Sequence, residues 1–148
     1  MEIAILALGC FWGPEIKFSK LDGVIKTEVG YCGGVTPKTN YEEVCSGKTN
    51  HAEVVKVEFD NSIITYKEIL NYFFEIHDPT TINQQGPDIG SQYRSEIFYL
   101  NQDQKKIAMD TLNKFNEKYN GRIVTIVSEI KNYSKAEDYH QKYLEKKI

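Results

Sequence analysis

Residues Ile3 to Leu8 form an unbroken run of six apolar side chains, stopped by Gly9. The run falls far short of the ~20 residues needed to cross a bilayer. It also lacks a preceding basic residue and the length of a signal core, so it is not an export signal. It reads as a buried strand, and a buried strand needs a packed layer over it. The rest of the chain supplies one. Phe11 to Leu21 is helical in pattern, with Pro14 tolerable only in its first turn. Val24 to Tyr31 is a strand ending at Gly33-Gly34, and Tyr41 to Cys45 a short helical turn. Ala52 to Phe59 alternates Val55, Val57 and Phe59 as a half-buried strand does.

Thr65 can cap a helix whose apolar residues Tyr66, Ile69, Leu70, Phe73 and Phe74 share one face. A strand over Ser95–Leu100 and a helix over Gln102–Tyr119 follow, the helix facing inward with Ala108, Leu112, Phe115 and Tyr119 and stopped by Asn120-Gly121. Ile123 to Ile130 reads as a buried strand and Ser134 to Lys146 as a last short helix. Between His77 and Tyr93, Pro79, Gly86, Pro87 and Gly90 leave a long loop, which in a small domain is usually functional. The order predicts one α+β domain over residues 1–148, a sheet with helices mainly on one face.

With 148 residues, 41% of them hydrophobic and 26% charged, the chain can build a core unaided. The net charge of −3 gives no broad footprint for nucleic acid or an anionic membrane, so neither is expected as a partner. Three cysteines, an odd number, do not make a disulfide scaffold; they point to a reducing compartment and a cytoplasmic protein.

Cys10 lies between a strand and a helix, where backbone N–H groups and the helix dipole lower a thiol pKa. A buried structural cysteine is the alternative. Phe11 and Trp12 follow it and can form a dry wall for a small alkyl or thioether group, or simply pack. Glu53 alternates with the inward-facing Val55 and Val57, so its carboxyl should be held protonated and able to serve as a general acid, unless it turns to solvent. Tyr41 and Tyr93 offer phenolic donors, which Asp88 can orient, and Arg94 reads as a surface or loop-bracing ion pair. Cys45 with His51, and His77 with Asp78, lack the spacing of strong zinc sites, so no metal is expected.

The motifs GCFWG (9–13), GYCGG (30–34), YEEVCSGKTNHAE (41–53), HDPT (77–80), QGPDIGSQYRS (85–95) and AEDYHQKY (136–143) occur in one order along the chain. Together they resemble the A-type peptide methionine sulfoxide reductases. The resemblance implies a ferredoxin-like two-layer α/β sandwich with a mixed sheet, and thiol-dependent reduction of methionine S-sulfoxide, free or peptide-bound, without metal or organic cofactor. It implies that Cys10 attacks the sulfoxide sulfur and becomes a sulfenic acid. Glu53, Tyr41 and Tyr93 would act on the sulfoxide oxygen, Asp88 would belong to that network, and Phe11 and Trp12 would hold the methyl group. Thioredoxin or another thiol is the implied reductant.

Many members of that family carry recycling cysteines in a C-terminal tail, whereas no cysteine follows Cys45 here. Cys32, Cys45 or an external thiol must then resolve the sulfenic acid, and the glycines around Cys32 suggest a mobile loop that favours it. Asn50 stands where the family usually has glycine, and asparagine tolerates a left-handed backbone. A thiol peroxidase and a non-catalytic module that binds oxidised methionine are the competing readings.

Overall fold

The computed structural model describes residues 1–146, and among them the strands and helices fall close to where the sequence pattern puts them. β1 (Glu2–Leu8) leads into α1 (Trp12–Ser19), β2 (Val24–Cys32), the short α2 (Tyr41–Cys45) and β3 (Ala52–Phe59). α3 (Tyr66–Glu75) follows, then a two-residue hairpin of β4 (Gln84–Gln85) and β5 (Asp88–Ile89). β6 (Ser95–Tyr99), α4 (Gln102–Lys118), β7 (Ile126–Glu129), β8 (Ser134–Lys135) and α5 (Tyr143–Lys146) complete the order.

Six strands form one mixed sheet in the order β7-β6-β1-β3-β2-β8. All pairs are antiparallel except β6 with β7. Within it, β1-α1-β2-β3-α3-β6 with strand order β6-β1-β3-β2 is a ferredoxin-like unit. The expected α+β, two-layer architecture is therefore observed, extended at one edge by α4 and β7.

Strand alternation sorts the side chains onto two faces. Leu6, Leu8, Val29, Tyr31, Val55, Val57 and Phe59 share a face covered by α1, α3 and α4 through Phe18, Ile69, Leu70, Phe73, Phe74, Ala108 and Phe115. Ile5, Ala7, Cys32, Ala52, Val54 and Phe98 form the opposite face, covered by Ile3, Ile130 and Tyr133. Each fully buried phenylalanine contributes about 1.5–3 kcal/mol of burial. Thr65 and Glu68 form a reciprocal capping box that starts α3.

Three expectations change. The strand foreseen over Ile123–Ile130 is shorter and lies at the sheet edge, with Ile126 48% exposed. It pairs only with β6, so its outer edge has no strand partner, and of its side chains Val127 packs on the core. The tail from Ser134 is a strap before it is a helix. Ala136 N–H donates to the Val29 carbonyl, and the Gln141 side chain bonds both the Val29 N–H and its carbonyl. Those bonds to β2 take the place of continuous helical ones, leaving a single 3-10 turn over Asp138–His140 and a short α-helix over Tyr143–Lys146. The long 77–93 loop holds the β4–β5 hairpin and a single helical turn over Ser91–Tyr93.

Candidate active site

Cys10 is positioned by Gly9, whose φ of +101° suits glycine and whose added Cβ would lie 2.8 Å from the Cβ of Gln85. The chain turns there from β1 into α1 and leaves the Cys10 thiol half-buried. The Trp12 N–H at the start of α1 does act on the sulfur, as expected for a helix start. Burial nevertheless dominates and pushes the thiol up to about 11, and the nearby Glu53 and Asp88 charges push the same way. One N–H at the helix start does not offset that desolvation. At rest Cys10 is a thiol.

Glu53 sits on β3 opposite Tyr31 of β2, on the helix-covered face, and is 1% exposed. Its Oε1 accepts the Phe11 N–H at 3.3 Å, while Oε2 is buried without a protein partner. Burial pushes the carboxyl up to about 8, with the Phe11 N–H working against it and Asp88 adding to it. Neutral pH therefore finds Glu53 protonated, beside the residue that carries the thiol. That is the arrangement of a proton donor with one oxygen free for a guest.

The two tyrosines join it from different elements. Burial pushes the Tyr93 hydroxyl up to about 12, and Glu53, Cys45, Asp88 and Cys10 all act on it electrostatically. Tyr41, on the first turn of α2, is also held well above the usual phenol range, first by burial and then by the Cys45 thiol. Both remain O–H donors at neutral pH. Asp88 is half-buried in β5 and acts on Cys10, Glu53 and Tyr93 through its charge. Arg94 braces the loop as foreseen, but as a buried ion pair and not a surface one. Its Nε lies 2.6 Å from Glu96 Oε1 and its Nη1 donates to the Ser91 carbonyl.

Phe11 is buried in the core, 5.8 Å from the Tyr31 ring and 5.2 Å from His140. Trp12 is half-buried and stacks on Tyr143 at 3.8 Å. Its indole N–H donates to His140 Nδ1 at 3.1 Å, and the Tyr41 ring lies 4.7 Å from the same imidazole. Glu137 accepts from the Tyr31 hydroxyl at 2.8 Å and from the Tyr41 N–H at 3.0 Å. Glu15, buried in α1, accepts the Lys142 N–H at 2.6 Å. Sequence reasoning assigned no role to His140, Glu137 or Glu15. The first two lay in the AEDYHQKY run and could have been singled out there. Glu15 carried no signal, because nothing local says that a strap will bury it.

The remaining cysteines separate. Cys32 is the last residue of β2, fully buried, with its thiol donating to the Lys131 carbonyl at 3.3 Å, so it is not in a mobile loop. Cys45 is exposed at the end of α2. All three cysteines are free. His51 braces the 33–36 turn, accepting the Gly34 N–H and contacting Thr36; a side chain on Gly34 would collide with its ring. Asn50 takes the left-handed backbone foreseen for it, with φ of 56°. Among the described residues no group of three His, Cys, Asp or Glu side chains is placed to hold a metal, and no helix is long and apolar enough to cross a membrane.

A family model described as peptide methionine sulfoxide reductase matches residues 2–148. A peptide methionine sulfoxide reductase MsrA of Pelagibacter ubique is 67% identical over 147 residues, covering 99% of this chain and 100% of that protein. The reduced form of Mxr1 from Saccharomyces cerevisiae superposes with a TM-score of 0.93 at 40% identity, over 98% of this chain and 84% of the yeast one. Mxr1 solved in complex with Trx2 matches with a TM-score of 0.69 at 28% identity, over 96% and 84%. The order of motifs and the ferredoxin-like sheet agree with these matches: this chain belongs to the peptide methionine sulfoxide reductase family.

Proposed function

We propose that the protein reduces methionine S-sulfoxide, free or within peptides and proteins, to methionine, with Cys10 as the nucleophile. The observation that carries this reading is the buried, protonated Glu53 with Oε2 unpartnered next to a half-buried thiol. A sulfoxide matches that pairing. Its oxygen is a strong acceptor that must be protonated to leave its sulfur, and its methyl group prefers an apolar wall.

In the proposed reaction the sulfoxide oxygen takes the place opposite Glu53 Oε2, with Tyr41 and Tyr93 as further donors and Asp88 in the same network. The methyl group rests on Phe11 and Trp12. Cys10 sulfur gives up its proton as it bonds to the sulfoxide sulfur, while Glu53 protonates the oxygen. The oxygen then passes to the Cys10 sulfur as hydroxyl, the bond between the two sulfurs breaks, and the Cys10 proton restores Glu53. The sum is one thiol and one sulfoxide converted to one sulfenic acid and one methionine.

Two further thiols return Cys10–SOH to the thiol with loss of water. The yeast relative solved with Trx2 supports a thioredoxin-type dithiol as their source. Residues 1–148 act as one catalytic domain, since the site draws on side chains from Cys10 to Tyr143. Three free cysteines fit work in the reducing cytoplasm.

The test is a single turnover of the reduced protein with each sulfoxide epimer. Methionine should form from the S-epimer and be abolished by Cys10→Ser. Equal or faster turnover of the R-epimer, or methionine formation by Cys10→Ser, would overturn the assignment.

A further inference from the structure

We propose that Cys45, and not Cys32, resolves the Cys10 sulfenic acid by forming an intramolecular Cys10–Cys45 disulfide. The inference rests on the functional reading above and adds the recycling partner within the chain.

Sheet register argues against Cys32. Tyr31 pairs with Glu53 and Cys32 with Ala52 in adjacent register positions. Alternation therefore sends Tyr31 and Glu53 to the face that holds Phe11, and Cys32 to the opposite face among Ile5, Ala7, Val54 and Phe98. The Cys32 thiol is fully buried there and donates to the Lys131 carbonyl. Bringing it to Cys10 requires passing it through the sheet. Unpairing the end of β2 would also release the bonds from Gly30 and Tyr31 to β8.

Cys45 has the opposite surroundings. It follows Tyr41 by four residues on α2, so both project from one helix face. Tyr41 faces inward, its ring 4.7 Å from His140, which in turn packs on Phe11 and Trp12. The Cys45 thiol lies against the Tyr41 hydroxyl, and Cys45 and Cys10 both act on the Tyr93 hydroxyl.

Joining them requires Cα atoms within about 7 Å, and the backbone around Cys45 is free to provide that approach. α2 has five residues with only Val44 buried, residues 45–48 are exposed, and Gly47 holds a left-handed backbone with open space around it. The segment from Cys45 to Lys48 can therefore shift while Val44 stays seated in the core. In the step, Cys45 sulfur attacks the Cys10 sulfur, the S–O bond breaks, and hydroxide leaves as water with the Cys45 proton. One sulfenic acid and one thiol become one disulfide and one water.

The experiment reacts reduced protein with one equivalent of S-epimer methionine sulfoxide without reductant. It counts methionine formed and thiols lost, then maps disulfides by peptide mass. The parent and Cys32→Ala should each lose two thiols per methionine and yield the Cys10–Cys45 peptide pair. Cys45→Ser should lose one, leaving a sulfenic acid that a dione reagent traps on Cys10. Methionine accompanied by a Cys10–Cys32 pair, or by one-thiol loss in the parent, would overturn the proposal while leaving the reductase activity standing. Absence of methionine would overturn the activity instead. A parallel arm that forms the sulfenic acid with one equivalent of hydrogen peroxide then decides the disulfide independently.

Discussion

The Trp12 indole N–H donates to His140 Nδ1 at 3.1 Å, joining two residues 128 positions apart in sequence. The bond fixes the tautomer: Nδ1 accepts, so the ring proton sits on Nε2, which is buried without a partner. Burial holds the imidazole below its ordinary value of 6.5, with Glu137 acting the other way. Protonation of Nδ1 would remove the acceptor and release the indole. Trp12 is the sole tryptophan, so its fluorescence reports this event directly. Emission should be constant from pH 8 down to 6.5 and change only below that value. A transition centred above 6.5 would contradict the bond.

Removing the acceptor should act on substrate binding more than on chemistry. His140→Phe keeps an aromatic ring between Phe11, Trp12 and Tyr41 but leaves the indole N–H unpaired, at a cost of about 1–3 kcal/mol. The expected outcome in steady-state kinetics with a sulfoxide peptide is a raised KM and a kcat changed much less. A fall in kcat at constant KM would place His140 in the chemistry itself.

Glu53 gives the reaction its pH dependence. Its carboxyl titrates at about 8 because burial disfavours the anion. The proton donor is therefore present at neutral pH and disappears as pH rises through 8. Single-turnover methionine formation should fall over that range. Glu53→Gln should lower the rate by roughly 10²–10⁴-fold, as loss of general acid catalysis does, and abolish the alkaline fall near 8. A variant that kept that fall would exclude Glu53 as its source.

The same shift predicts stability of the opposite sign. A carboxyl raised from 4.5 to about 8 on folding holds its proton more tightly in the folded state. Relative to a permanently neutral residue, its contribution is full below 4.5 and is lost as pH rises through 8. Glu53→Gln should therefore be more stable than the parent at pH 9, by on the order of 5 kcal/mol, with the difference closing towards pH 4. Urea unfolding at the two pH values checks it. The least active variant would be the more stable protein.

Glu137 should behave in the reverse way. Burial alone raises its carboxyl, but the Tyr41 N–H, the Tyr31 hydroxyl and the His140 charge outweigh it and hold it below the usual carboxylate range. Its stabilisation is present above 4.5 and lost as pH falls through its lowered folded value. Glu137→Ala should cost about 1–3 kcal/mol at pH 7 through the lost hydrogen bonds, with a smaller difference in acid. Denaturation at pH 7 and at pH 3 separates this from a simple packing loss, which would be the same at both.

Local chemistry alone determined much of this molecule. The apolar run of β1, the period-two pattern of β3, the Thr65 cap and the stripe of α3 each depend on residues within a few positions of one another. Glu53 was legible as a core-side carboxylate because alternation on one strand decides its face. What depended on packing was not legible. The thiol pKa of Cys10 is set by how much water the surrounding loops exclude, and that desolvation outweighs the helix-start effect the sequence suggests. The mobile loop read from the glycines near Cys32 is a paired strand end, because β3 and the Lys131 carbonyl bind it from remote parts of the chain. Glu15, Glu137 and His140 matter only once the strap after β8 is laced onto β2 and brings residues 136–143 across Trp12 and Tyr41. A sequence encodes which face a side chain takes within its own element; which distant element then excludes its water is decided by the assembled fold.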